Sequence, residues 1–425
     1  MKFGGSCLDR PSDIKRMIEI VRAADQPKIV LSAFKGVTDE LIRQTRLARA
    51  GSFDLEPIEK KHRNLLADLP EAGRQVTETR INQLLRDLEK SLATICTSSE
   101  LTAATMDEIV SYGERLAVQI TSGYLSSEHL ENSPLSDFQA GLITDSRFGN
   151  ASLLDESYQL VRDKIQRTQL PIIAGFFGRN KSGRIATLGR GGTDYIATFI
   201  ASALHCDSVL FKDVEGVMSA DPKIVKDARL LTRLDYPSAM ELAHYGSKAI
   251  FEKAITPAMK NNIAIRVTSF LNSSSGTLIS ERSGDATAVS LLKSVACFKV
   301  PVADQNMIPS LKREIEASHA DNLLLTVDAD SNEILMAVST ESAAEMASVL
   351  DDAFPEIGVK LEKGLALVAV TGSLLKPDDV REILLKEHID VHAVSPSASG
   401  RSVCALLGSE RAEHAVRILH SNVMT

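Results

Sequence analysis

The sequence predicts an α/β protein whose larger, first part is a three-layer unit with a mostly parallel sheet between helices, followed by a smaller α+β region. Three observations carry this. Strand and helix signals alternate through the first half of the chain. Glycine-rich loops at Gly4, Gly36 and Gly191 each follow a strand or open a helix. Composition then shifts at Asn272-Ser273-Ser274-Ser275-Gly276 and at Arg282-Ser283-Gly284, after which the rhythm becomes two shorter β-α-β-β-α rounds.

In order, Ile14, Met17, Ile18 and Val21 recur at helical spacing, with Ser12 as the expected N-cap. Lys28–Phe34 reads as a buried strand, broken by Gly36-Val37-Thr38 before a helix from Asp39. The charged stretch from Pro57 to Ser98 is helical in period, and Leu101–Gln119 continues as helix. Leu170–Phe177 is a strand, Tyr195–His205 an apolar helix, and Ser208–Val214 the next strand. In such sheets ligands bind beyond the C-terminal strand ends, where these loops are expected to converge. In the second region, Ala288–Val302, Asn322–Val327 and Glu333–Val338 read as strands, Ile308–Ser318 and Ser342–Phe354 as helices. Then come the strands Leu365–Thr371, Ile389–Ala393 and Ser402–Leu407, and the helices Pro377–Glu387 and Glu410–His420. Each round has a ferredoxin-like pattern.

At 425 residues the chain is too long for one ordinary domain. Its net charge of −8 argues against nucleic acid or an anionic membrane as the main partner, so phosphate binding must be local. No apolar run reaches the roughly 18 residues that span a bilayer, and no signal peptide is legible, so a cytoplasmic location is expected. The cysteines at 7, 96, 206, 297 and 404 show no C-x-x-C spacing. His388 and His392 straddle a strand start and lack the helical H-E-x-x-H arrangement, so no metal-ligating set is expected.

The chemistry concentrates in Thr187-Leu188-Gly189-Arg190-Gly191-Gly192-Thr193-Asp194, just before an apolar helix. Bare glycine backbone lets N–H groups approach an anion, and a helix N-terminus adds positive charge. Arg190 can hold a carboxylate or phosphate through two parallel hydrogen bonds. A second loop, Lys2-Phe3-Gly4-Gly5-Ser6, pairs glycines with a lysine. Two anion cradles suggest a phosphate donor meeting an anionic acceptor. Phosphoryl transfer needs charge neutralisation and alignment more than covalent chemistry. Lys2 could hold the transferring oxygens, while Gly4, Gly5 and Ser6 supply N–H groups and a hydroxyl. A plain turn is the alternative for Gly4-Gly5, a solvated helix carboxylate for Glu114, and a helix N-cap for Thr193. The chain has no G-x-x-x-x-G-K-[ST] loop and no H-R-D and D-F-G pair.

These motifs in sequence order resemble the aspartate kinase family. Lys2-Phe3-Gly4-Gly5-Ser6-Cys7 is similar to its Lys-Phe-Gly-Gly-Thr-Ser opening, and Ser32-Ala33-Phe34-Lys35-Gly36-Val37-Thr38 to its Ser-Ala-x-x-Gly-x-Thr loop. Gly113-Glu114-Arg115, the 187–194 signature, Asp213–Val217, Ala220-Asp221-Pro222 and Gly246-Ser247-Lys248 follow, covering roughly residues 1–280. The resemblance implies an amino-acid-kinase-like catalytic domain over 1–283 and paired ACT units over 284–360 and 361–425. It implies ATP-dependent phosphorylation of the side-chain carboxylate of L-aspartate, with a kinase of another small carboxylate or a weak ACT-bearing sensor as alternatives.

By the same resemblance, Lys2 and Asp194 are the catalytic residues. Arg190, Gly191 and Gly192 hold a substrate carboxylate, Glu114 receives the amino group, and Ser32, Thr38 and Thr193 add hydrogen bonds. Gly4, Gly5, Ser6, Lys212, Asp213, Met218, Asp221 and Lys248 contact ATP, whose phosphates carry Mg²⁺ without dedicated protein ligands. Asp221-Pro222 also reads as a simple turn. A homodimer or higher homo-oligomer is expected; the ACT units either take lysine or threonine as an amino-acid effector or serve only to build the dimer. Three departures stand out. Lys2 is the second residue where the family carries several before it; Phe251-Glu252 replaces His-Pro; and the 395–400 segment, Ser-Pro-Ser-Ala-Ser-Gly, lacks the family's acid. Of the two loops that precede the first helix of each ACT round, only Gly372–Pro377 keeps a glycine, and Asp304–Pro309 has none.

Overall fold

A computed structural model describes residues 1–135, 137–282, 286–302, 307–317, 322–328 and 331–424. The chain forms two compact units: residues 1–216 with 249–281, and residues 217–248 with 282–425. The sequence boundary at 283/284 falls outside the described residues, and the compact units differ from it in taking 217–248 into the second. The reason is long-range. The Val289 N–H donates to the Ser219 carbonyl at 2.7 Å, and Ser219 Oγ meets His420 Nε2 at 2.9 Å.

In the first unit the strands lie in the order Ser133–Leu135, Pro171–Ala174, Ile29–Leu31, Lys2–Phe3, Ser208–Lys212, Ile265–Ser269 and Thr277–Ser280. All neighbours are parallel except the last pair. Lys2–Phe3 is short but central. Lys2 lies opposite Val30 and Leu210, and Phe3 stacks on Phe211 with ring centroids 4.7 Å apart. Because the strands are covered on both faces, they read as apolar runs without alternation. The core joins Phe3, Ile14, Ile18, Leu31, Leu116 and Ile172 in one cluster.

The helices follow the apolar periodicity, with local corrections. The Pro11–Arg22 helix has Arg10, not Ser12, as its N-cap; Pro11 fixes the first turn, and the Asp13 carboxylate accepts the Arg10 N–H at 2.9 Å. The 57–98 stretch is two helices, Glu56–Leu66 and Glu71–Ser98, parted just before Glu71 by Pro70. The strand expected over 170–177 stops at Ala174. Phe176 has φ +73°, and Phe177–Asn180 joins a separate three-stranded sheet with Ile143–Thr144 and Ile185–Thr187. The turn needs glycine at 175, where a Cβ would lie 2.4 Å from Thr193 Cγ2 and 2.8 Å from the Leu31 carbonyl oxygen.

The second unit holds a six-stranded sheet in the order Leu324–Asp328, Glu333–Ser339, Ala288–Pro301, Lys360–Thr371, Ser402–Gly408, Val391–Pro396. Its pairs are antiparallel. The helices Met307–Ala317, Ala343–Ala353, Pro377–Lys386 and Ala412–Val423 complete two ACT-like rounds. The long strand 288–301 serves both. Val289 packs with Val368, Leu384 and Leu419, whereas Ala296, Phe298 and Val300 pack with Leu311, Met336 and Leu350. The start of that strand therefore belongs to the core of the second round, which a division at 360/361 does not show. The Gly372 turn has φ +70°, and a Cβ there would lie 2.1 Å from the Ala286 carbonyl oxygen. In the companion Asp304–Pro309 loop, 304–306 lie outside the described residues. The two carboxylate oxygens of Glu241 accept from Ser399 in the 395–400 segment and from Ser402 just after it, each at 2.6 Å.

Candidate active site

Parallel order brings the ends of the Lys2–Phe3, Ile29–Leu31 and Ser208–Lys212 strands to one sheet edge, facing the start of the Gly192–Ala203 helix. That helix opens on Gly191, whose φ of +76° makes it the N-cap; Thr193 lies inside the first turn and is not the cap. Asp194 is therefore held in the first turn, where the helix dipole favours a carboxylate.

Asp194 is 2% exposed and takes two ammonium groups. Lys2 Nζ lies 2.8 Å from Oδ1 and Lys212 Nζ lies 2.6 Å from Oδ2. Burial alone would raise the carboxyl's pKa, but the two lysines outweigh it and hold Asp194 at about 2. Burial and the neighbouring Lys2 charge pull the Lys212 ammonium down, against the attraction of Asp194. The trio carries two positive charges on one negative, a net positive centre walled by the Gly4 backbone. A Cβ on Gly4 would approach Lys2 Nζ to 3.0 Å. Lys212, which the resemblance assigns to the nucleotide, thus meets Lys2 on the same carboxylate, with the Phe251 ring 5.3 Å from its Nζ.

Gly5 opens a short 3-10 turn over Gly5–Cys7, with Ser6 exposed. A Cβ on Gly5 would lie 2.5 Å from the Ala33 carbonyl oxygen, so this loop and the 32–36 loop touch through backbone. Gly5→Ala should therefore displace the Ala33 peptide, lowering thermal stability and cutting turnover at least tenfold, measured by thermal unfolding and steady-state kinetics. Overpacking of this kind costs about 1–3 kcal/mol.

Ser32 Oγ donates to Thr193 Oγ1 at 3.1 Å, joining the second loop to the helix. The Ala33 N–H donates to Glu114 Oε1 at 3.0 Å. Glu114 is 3% exposed, and its Oε2 has no partner among the described residues. Burial pushes its carboxyl up to about 8, against the lowering effect of the Ala33 N–H. It is no solvated helix carboxylate. Thr38 is half-buried in the first turn of the Val37–Arg49 helix. Arg190 is exposed and unpaired among the described residues, between Gly189 at φ +72° and Gly191.

Asp213 is exposed just after the Ser208–Lys212 strand. Met218, Asp221 and Lys248 belong to the second compact unit. Met218 bridges to Leu230, and Asp221 Oδ1 accepts the Lys223 N–H at 2.9 Å, a local turn. Lys248 is exposed. Sequence reasoning missed Asp107 and Lys253. Asp107 binds the Thr187 N–H and hydroxyl, and Lys253 donates to the Leu188 carbonyl. Both sit in helices far away in sequence, and nothing local marks them.

Residues 1–269 match the profile of the Amino acid kinase family, and the chain belongs to that family. Within it, the chain is similar to aspartokinases. It is 28% identical over 453 residues to Aspartokinase 2, chloroplastic, of Arabidopsis thaliana, covering 99% of this chain and 83% of the relative. It is 27% identical over 460 residues to Lysine-sensitive aspartokinase 3 of Escherichia coli (strain K12), covering 99% and 98%. The fold matches the crystal structure of E. coli aspartokinase III in complex with aspartate and ADP, with a TM-score of 0.87 at 24% identity, over 100% of this chain and 99% of that one. The structure of the same enzyme with lysine and aspartate superposes with a TM-score of 0.75. No helix among the described residues is long and apolar enough to cross a membrane.

Proposed function

We propose that this protein transfers the γ-phosphoryl group of ATP to the side-chain carboxylate of L-aspartate, giving 4-phospho-L-aspartate and ADP. The observation that carries this reading is the buried Lys2–Asp194–Lys212 trio at the mouth of the parallel sheet. Its two ammonium groups would neutralise the negative charge gathered on a transferring phosphoryl group, and Asp194 keeps them from repelling each other apart. The aspartate relatives give the acceptor its identity.

The acceptor carboxylate is ionised at neutral pH, so the site needs no general base. Asp194 is unsuited to that role because both its oxygens are engaged and its carboxyl is held at about 2. In this reading Arg190 clamps a substrate carboxylate, Glu114 Oε2 receives the amino group, and Ser32, Thr38 and Thr193 hydrogen-bond the substrate. The Gly4-Gly5 backbone fits a phosphate chain, since side chains there would strike Lys2 or Ala33. Mg²⁺ would arrive on the phosphate oxygens and neutralise their charge, since Asp194 is already occupied by two lysines and Glu114 is kept for the amino group. Asp213, Met218, Asp221 and Lys248 would contact the nucleotide.

Purified protein with Mg-ATP and a panel of aspartate, glutamate and N-acetylglutamate tests the reading. ADP release is expected with aspartate; turnover only with another acceptor would overturn it. Lys2→Ala should lower kcat by about 10² or more while aspartate binding, read by calorimetry, persists. An amino-acid effector, lysine or threonine, would act at the ACT-like units, and the enzyme would form a homodimer or higher homo-oligomer. Inhibition curves with each amino acid and light scattering test these.

A further inference from the structure

We propose that Lys253, together with Asp107, is a positioning residue that presents Arg190 to the substrate carboxylate; the inference rests on the reading of Arg190 as the carboxylate clamp. The geometry of the 187–191 segment carries it. The Thr187 N–H and hydroxyl donate to the Asp107 carboxylate at 2.7 and 2.8 Å, and the Thr187 carbonyl accepts the Ala151 N–H at 2.8 Å. The Leu188 N–H donates to the Phe176 carbonyl at 2.8 Å, and the Leu188 carbonyl accepts from Lys253 Nζ at 3.2 Å. The Gly189 carbonyl accepts the Gly192 N–H at 3.0 Å. Main-chain groups are thus tied from both sides up to the residue before Arg190. The guanidinium that follows is left exposed.

A second tie closes the frame. Asp107 also accepts the Gly149 N–H at 2.8 Å, and the next residue, Asn150, takes Lys253 Nζ on its side-chain oxygen. That oxygen lies 2.9 Å from the place a Cβ on Gly189 would fill. Lys253 is oddly placed for a structural lysine. It stands in the first turn of the Glu252–Asn261 helix, where the dipole disfavours a cation, and it has no carboxylate within ion-pair distance among the described residues. It is half-buried, which pulls its ammonium pKa down, and the Arg147 charge adds to this against the weaker attraction of Asp145. A local rule is broken so that one cation can grip the Leu188 carbonyl of the arginine loop and the Asn150 side-chain oxygen beside it. A bidentate guanidinium–carboxylate contact depends on planar alignment, and a small tilt of its supporting loop degrades it.

Lys253→Met, which keeps the stem and removes the charge, is the test. The KM for aspartate should rise about tenfold, with kcat and the KM for Mg-ATP within about threefold of wild type. Lys253→Arg should recover at least half of the loss. In the Arg190→Ala background the Lys253→Met change should add nothing, because the residue it positions is gone. An unchanged KM, or a fall in kcat and thermal stability at constant KM, would overturn the inference in favour of a purely structural lysine. Asp107→Asn should shift KM in the same direction. If wild type phosphorylates another carboxylate instead of aspartate, the activity reading fails. The same KM split on that acceptor then still decides the role of Lys253.

Discussion

Asp194→Asn should abolish most activity and weaken the fold together. The amide keeps the shape of the side chain but removes the negative charge between Lys2 and Lys212, whose Nζ atoms lie 2.8 and 2.6 Å from its oxygens. Two enclosed ammonium groups would then face each other across a neutral group. One lysine must swing away or lose its proton, and either change dismantles the positive centre proposed for the phosphoryl group. Loss of one preorganised electrostatic group commonly costs about 10²–10³ in kcat, and a comparable loss is expected here. Breaking a buried ion pair by removing one partner costs about 3–5 kcal/mol. The pH dependence has a definite sign. The folded carboxyl is held at about 2, below its ordinary 3.8, so its stabilising contribution is present above 3.8 and is lost as pH falls through about 2. The stability gap between wild type and Asp194→Asn, measured by denaturant unfolding, should therefore be full at neutral pH and shrink in strong acid. Wild-type turnover by the variant, within a factor of about three, would remove the trio from the mechanism.

Glu114→Gln should separate stability from substrate binding. Burial lifts the Glu114 carboxyl to about 8, against the Ala33 N–H and its own backbone N–H, so the unliganded side chain is mostly protonated at neutral pH. The folded pKa lies above the ordinary 4.5. Its contribution to stability is thus complete below 4.5 and declines as pH rises toward about 8. Glutamine stays neutral and can still accept the Ala33 N–H. The variant should match wild type near pH 4.5 and gain on it by about 1.4 kcal/mol per pH unit up to about pH 8. Its affinity for aspartate should fall, since a cationic amino group needs a carboxylate, not an amide. For wild type the KM for aspartate should drop as pH rises from 6 to 8, by up to about tenfold per unit. In the variant that slope should vanish. Equal slopes in both proteins would mean that the unpartnered oxygen of Glu114 does not meet the amino group.

Much of the architecture was legible because it rests on short-range rules. The helical spacing of Ile14, Met17, Ile18 and Val21 corresponds to an observed helix, and the strands expected over 28–34 and 208–214 are present but shorter, as Ile29–Leu31 and Ser208–Lys212. The turn residues were less legible. Ser12 reads as a cap, but the helix starts at Pro11 with Arg10 as its cap, two residues earlier, and the strand expected to reach Phe177 stops at Ala174, before the positive φ of Phe176. In both places the backbone chose a conformation that side-chain pattern does not encode. Lys212, expected on the nucleotide, meets Asp194 instead, and an ion pair between the end of a strand and the first turn of a helix has no signature in either segment.

The amino-acid sequence by itself determined the alternating layers, the paired ACT-like rounds and the glycine loops that require bare backbone, since periodicity and missing side chains act locally. Only the tertiary structure decided which charges meet. It set two lysines on one buried carboxylate, left one oxygen of Glu114 without a partner, and tied the arginine loop to Asp107 and Lys253. It also took residues 217–248 into the second compact unit. Electrostatic partners are chosen by distance in space and by exclusion of water, and neither is written in the order of the residues.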